Sequence, residues 1–86
     1  MHTVDLLEQA LRAAMQLGYG VRQEWLGGSG GGSCEIKGQK WIFLDLALSL
    51  PDQLDQVAEI LRNDPGAACL PLNPALGRLV LRRKAA

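Results

Sequence analysis

The glycine-rich segment at residues 27–33, together with the cysteine that follows it, holds the residues best suited to chemistry. It contains five glycines and two serines in seven positions. A run of backbone amides without bulky side chains can form a concave site for an anion such as phosphate, and the next side chain is a thiol. The candidate ligand-binding residues are therefore Gly28, Gly30, Gly31, Gly32, Ser33 and Cys34.

The sequence around these glycines does not match the known phosphate-binding motifs. A P-loop ends in Gly-Lys-Ser/Thr and leads into a helix, and a dinucleotide-binding fingerprint also precedes a helix. Here the segment leads into Cys34-Glu35-Ile36, which has the pattern of a strand. This context favours a connection between strands, or a close backbone approach, over a phosphate site.

Cysteine chemistry has little support in the rest of the chain. A nucleophilic Cys34 needs a nearby base, and His2 is the only histidine. Glu24, Glu35 and Asp45 could supply a carboxylate, but we expect them to point into solvent. Cys34 and Cys69 are too few and too far apart for a zinc site, so we expect two buried free thiols, no metal and no cofactor. Enzymatic activity is not favoured.

Length and charge restrict the class of protein. The 86 residues predict one small domain, residues 1–86, and nine basic residues balance nine acidic ones. No apolar run is long enough to cross a membrane, and the amino terminus lacks a signal-peptide pattern, so we expect a cytoplasmic protein. Nucleic acid is an improbable partner, because the basic residues near the carboxyl terminus have no aromatic residue among them. These are Arg78, Arg82, Arg83 and Lys84.

Helical spacing of apolar residues predicts a first helix at residues 4–17, with Thr3 as its N-cap and Gly18 at its end. Alternation then predicts a strand at residues 21–26. The second helix has the clearest signals, because Ser49 can cap it and an apolar stripe runs through Leu54 and Leu61. Asn73-Pro74 opens a short third helix, for which an additional strand at residues 79–83 is the alternative.

Residues 34–37 and 41–46 predict a β-hairpin around Gly38-Gln39. A two-residue loop would place Glu35 opposite Ile42. A three-residue loop separates apolar from polar residues more cleanly, since Cys34 and Ile36 then share the face of Ile42, and we prefer it. In that register Trp41 and Phe43 lie on the opposite face, away from the helices.

Part of the chain resembles known sequences. Leu26-Gly-Gly-Ser-Gly-Gly-Gly-Ser-Cys-Glu-Ile-Lys-Gly38, with the following strand and helix, is similar to short uncharacterised bacterial proteins of no assigned activity, which implies an intact small domain. A fainter similarity is to the hairpin-and-helix entry of minimal zinc metallopeptidases. Their His-Glu-x-x-His motif is missing, because residues 56–63 contain no histidine. Glu59 alone cannot bind zinc, and peptidase activity does not carry over.

These patterns predict an α+β fold in the order helix, strand, strand, strand, helix, helix. We expect a three-stranded, mostly antiparallel sheet with helices on one face. The functional expectation is a noncatalytic interaction or scaffold protein that forms a homodimer through Trp41 and Phe43, which would otherwise expose a large aromatic patch. The alternative is a ligand- or phosphate-binding module, or an enzyme, that uses the glycine segment and Cys34.

Overall fold

The computed structural model describes residues 2–28 and 31–81, and it confirms the α+β class and the predicted order of elements. Within these residues the elements are helix α1 (Thr3–Gln16), strands β1 (Gly20–Glu24), β2 (Gly32–Ile36) and β3 (Gln39–Asp45), helix α2 (Leu50–Arg62), a 3₁₀ segment (Pro65–Cys69) and helix α3 (Pro74–Leu81). None of these helices has the length and apolar character that crossing a membrane requires.

The three strands form a mixed sheet in the order β1-β3-β2. The last strand, β3, lies in the centre, parallel to β1 and antiparallel to β2. The glycine-rich segment therefore does not join neighbouring strands. It carries the chain from one edge of the sheet to the other, and β2 then returns through a hairpin to the centre.

The helices cover one face of this sheet. Helices α1 and α2 pack against each other and against the strands, while α3 packs on α1 and α2. Strand β3 contributes Ile42 and Leu44 to the core, and neither is exposed to solvent. The helices contribute Leu7, Leu11, Leu54, Val57, Leu61, Leu76 and Val80. Burial of this apolar surface is the main stabilising contribution in a domain of this size.

The predicted register of the hairpin is wrong. The turn has two residues, Lys37 and Gly38, with φ angles of 51° and 80°, and two positive φ angles are the signature of a type I′ turn. Cys34 consequently lies opposite Trp41, and Ile36 lies opposite Gln39. Cys34 and Ile36 thus share the face of Trp41 rather than that of Ile42.

The end of α1 determines where Tyr19 lies. Gly18 has a φ of 95°, its amide donates to the Met15 carbonyl, and the Tyr19 amide donates to the Ala14 carbonyl. This is the Schellman arrangement that glycine favours after a helix. At the other end the predicted cap is wrong, because Thr3 is already helical and His2 occupies the N-cap position without a side-chain hydrogen bond.

The capping signals of the later helices are realised. The Asp52 amide donates to Ser49 Oγ over 3.2 Å at the start of α2, and the Ala75 amide donates to Asn73 Oδ1 over 2.8 Å at the start of α3. Arg62 donates to the carbonyl oxygens of Leu79 and Val80, which supplies donors to two of the last carbonyl groups of α3. Helix α3 continues to Leu81. Residues 82–84, which are three of the basic residues near the carboxyl terminus, lie outside the described residues.

Asp45 corrects another expectation, because its side chain is buried rather than solvated. Its Oδ1 atom accepts hydrogen bonds from the Leu26 amide over 3.0 Å and from the Ala47 amide over 2.9 Å. The carboxylate therefore ties the chain that leaves β1 to the turn that follows β3. Its role is structural, since hydrogen bonds to backbone amides satisfy a buried carboxylate.

We predict that Gly31→Ala lowers the free energy of unfolding by about 2 kcal/mol or more. A Cβ atom at Gly31 would overlap the backbone carbonyl oxygen of Phe43, which cannot move without disturbing the central strand. Gly77→Ala is the matched control, because its nearest neighbour would be the Leu72 Cβ atom at 3.9 Å. Helix propensity should make this control neutral or more stable by up to about 1 kcal/mol. Urea unfolding of both variants measures the difference, and equal stability would contradict close packing at Gly31.

Candidate functional site

One candidate site is the face of the sheet that the helices leave uncovered, here called the open face. It carries Gly20, Arg22, Cys34, Ile36, Trp41 and Phe43, which the strand pairing places on one side. The rings of Trp41 and Phe43 stack with centroids 6.4 Å apart and planes inclined by 28°. Offset stacking of this kind is a favourable aromatic arrangement.

Gly20 makes room for the Trp41 ring. The two residues are partners in the parallel pair of β1 and β3. A Cβ atom at Gly20 would lie 2.6 Å from the Trp41 ring, which is closer than atoms can approach. The indole thus lies flat across the glycine instead of standing out from the sheet, so the open face presents a ring surface beside Phe43.

The expectation of buried thiols is wrong, because Cys34 and Cys69 are both exposed. Cys34 reaches the open face through the type I′ turn, which reverses the predicted alternation of β2. Cys69 is the last residue of the 3₁₀ segment. Both thiols are free.

The other candidate site is a groove between the edge strand β2 and helix α2, here called the β2–α2 groove. Its larger part is a cavity of about 400 Å³ lined by Tyr19, Gly31, Gly32, Ser33, Gln56, Glu59, Ile60 and Asn63. A neighbouring cavity of about 220 Å³ is lined by Tyr19, Ser33, Cys34, Glu35 and Lys40. Tyr19 and Ser33 belong to both.

The groove contains some of the predicted ligand-binding residues. Gly31, Gly32 and Ser33 line the larger cavity, and Cys34 lines the smaller one. Gly28 is exposed with a φ of 80° and lines neither. Gly30 lies outside the described residues. The sequence does not indicate the lining residues of α2 or Tyr19 and Lys40, because no local pattern shows that these distant segments meet.

Asp64 joins three parts of the chain at one end of the groove. Its Oδ2 atom accepts a hydrogen bond from the Tyr19 hydroxyl over 2.9 Å and an ion-pair contact from Lys40 Nζ over 3.3 Å. Its Oδ1 atom accepts the Gly66 amide over 2.8 Å. Lys40 Nζ also lies 4.5 Å from the centroid of the Tyr19 ring, a cation–π contact. The ammonium group of Lys40 therefore already interacts with groups of the protein.

Titration of this cluster follows from its contacts. The Gly66 amide, with the Tyr19 hydroxyl and Lys40, lowers the pKa of Asp64, although partial burial opposes them. Burial, followed by the hydrogen bond to Asp64, raises the pKa of Tyr19. Asp64 is therefore ionised and Tyr19 protonated at neutral pH, and the tyrosine hydroxyl acts as a donor to its partner rather than as a base.

Among the described residues, the cavity beside Cys34 is lined by Tyr19, Ser33, Glu35 and Lys40. The residues that line the cavity beside it include no imidazole. Among the described residues, no group of three or more histidine, cysteine, aspartate or glutamate side chains could hold a metal ion.

Comparisons of the chain with protein families, with curated proteins and with solved structures find no match.

Acid should remove the contribution of Asp64 to stability. Because the folded state lowers its pKa below the ordinary value of about 3.9, the contribution is complete above about pH 5 and is lost as the pH falls toward the lowered pKa. Asp64→Asn should therefore cost about 1 to 2 kcal/mol at pH 7 and progressively less below pH 4. Asp55→Asn, at an exposed position of α2, is the control. Urea unfolding from pH 3 to 7 tests this, and a cost that does not change with pH would contradict it.

Proposed function

We propose that this protein is a noncatalytic interaction protein that acts as a homodimer, with the open face as its interface. The observation that carries the proposal is the stacked pair of Trp41 and Phe43, both half-buried, on the sheet face opposite the buried Ile42 and Leu44. Ile36, on the same face, is 49% exposed. Burying such a surface against an identical one is favourable, because two-fold symmetry hides both copies in one contact.

The charges on the open face suit a second copy of the chain. Arg22 Nε and Glu24 Oε2 form an exposed ion pair at 3.0 Å along β1. Across a two-fold axis, β1 of one copy faces β1 of the other copy, which runs in the opposite direction. Each arginine can then pair with the partner's glutamate. The net charge of zero also means that two copies do not repel each other as whole molecules.

The size of the open face sets the strength of the dimer. Three strands about 4.8 Å apart and five to seven residues long give a footprint of roughly 15 by 20 Å. This is small beside the about 800 Å² per partner that a typical stable interface buries. We therefore propose a reversible dimer with a dissociation constant in the micromolar range. The proposal also includes a reducing compartment such as the cytoplasm, because the thiols stay free there.

Ile36→Lys should dissociate the dimer without unfolding the chain. The new ammonium group would lie at the exposed end of the hairpin, where a monomer solvates it and a dimer has to bury it or separate. Val4→Lys is the matched control, because Val4 is 45% exposed on α1, in the helical layer. Sedimentation equilibrium from about 1 to 200 μM compares the two variants with the wild type. A wild type that stays monomeric throughout, or a Val4 variant that dissociates equally, would reject this interface.

Phe43→Ser provides a second, independent perturbation at the centre of the open face. Removing one ring of the stacked pair takes apolar area from both copies, so the dissociation constant should rise at least tenfold. Far-ultraviolet circular dichroism and thermal unfolding at low concentration check that the monomer is still folded. Unchanged dimerisation in a folded Phe43→Ser variant would show that the copies meet elsewhere.

A further inference from the structure

We propose that the β2–α2 groove binds an extended peptide segment that carries a lysine or arginine side chain. This function is separate from the proposed dimer, because the groove opens at the edge of the sheet and the dimer interface is its open face. The groove includes part of the glycine-rich segment, but the ligand proposed here donates hydrogen bonds and is not a phosphate.

Strand β2 lies at an edge of the sheet. Of the described strands, β2 pairs only with β3. In a hairpin with a two-residue turn, the pair that flanks the turn exchanges backbone hydrogen bonds, and every second pair does so from there. Ile36 and Cys34 therefore bond to β3, while the amides and carbonyls of Ser33 and Glu35 point away from the sheet. An extended peptide can add to such an edge as a further strand.

Helix α2 forms a wall beside this edge. Gln56, Glu59, Ile60 and Asn63 lie along one side of the cavity, and Tyr19 lines it as well. The volume of about 400 Å³ is within the range of sites that hold ligands. A peptide strand on β2 would thus have one flank against a helix, so its side chains would meet specific groups rather than solvent alone.

The groove presents polar and acidic groups. The Oε1 atom of Gln56 is buried and finds no hydrogen-bond partner among the described residues, which is costly unless a ligand supplies a donor. Glu59 lines the same cavity and Glu35 the neighbouring one. Among the described residues that line the two cavities, Lys40 is the only cation, and its ammonium group already pairs with Asp64 at 3.3 Å.

These groups determine the chemistry of the partner. A carboxylate or phosphate would meet like charge from the glutamates and would leave the Gln56 oxygen without a donor. A segment that brings its own backbone amides and one cationic side chain satisfies the edge of β2, the buried oxygen and a carboxylate together.

Binding can be tested with three pools of acetylated, amidated heptapeptides that differ only in the central residue, which is lysine, glutamate or leucine. The pools are titrated into ¹⁵N-labelled protein and followed by NMR. The lysine pool should shift the amide signals of Ser33 and Glu35 and the side-chain amide of Gln56, while the glutamate pool should not. Equal shifts from the glutamate pool, or no shift at these three residues from the lysine pool, would overturn the proposal.

A charge-matched pair of variants locates the binding. Glu59→Lys reverses a charge in the lining and should weaken binding of the lysine pool at least tenfold. Asp55→Lys makes the same change at an exposed position of α2 outside the lining, and should weaken it less than twofold. Ile36→Lys, which changes the open face, should leave the amide shifts in place. If the two α2 variants weaken binding equally, general electrostatics rather than the groove accounts for it, and the proposal fails.

Discussion

The two positive φ angles at Lys37 and Gly38 determine both surfaces of the sheet. A type I′ turn matches the right-handed twist of the paired strands and fixes the register of β2 against β3. Because side chains alternate along a strand, a register that differs by an odd number of residues would move Cys34 and Ile36 to the helices. The same turn directs Ser33 and Glu35 toward the groove, so the open face and the β2–α2 groove depend on one local conformation.

The sequence was most informative where a structural signal is local. Ser49 and Asn73 are caps whose partners lie within a few residues, and both helices begin where those residues indicated. The sequence predicts the hairpin in the right region, but sorting apolar residues from polar ones predicts the wrong register for it. That criterion assumes a solvated outer face. Here the outer face carries Cys34 and Ile36, because the conformation of the turn sets the register and the separation of apolar from polar residues does not.

Features that join distant segments had no signal in the sequence. The parallel partner of β1 is the third strand rather than the second, and alternation alone does not reveal which strand pairs with which. Tyr19, Lys40 and Asp64 come from three separate parts of the chain and meet only in the folded structure. Burial of Asp45 was equally hidden, since an acidic residue at the end of a strand ordinarily indicates exposure. The glycine-rich segment was recognised, but its specific requirement at Gly31 comes from the Phe43 carbonyl oxygen.

The strand order also constrains how the sheet is assembled. The central strand is the last to be synthesised, so β1 and β2, which occupy opposite edges, have no permanent partner until β3 has emerged from the ribosome. Pairing of β1 with β2 in the meantime would have to be undone. Because β3 enters between them, the connection from β1 to β2 has to span the space that β3 later fills.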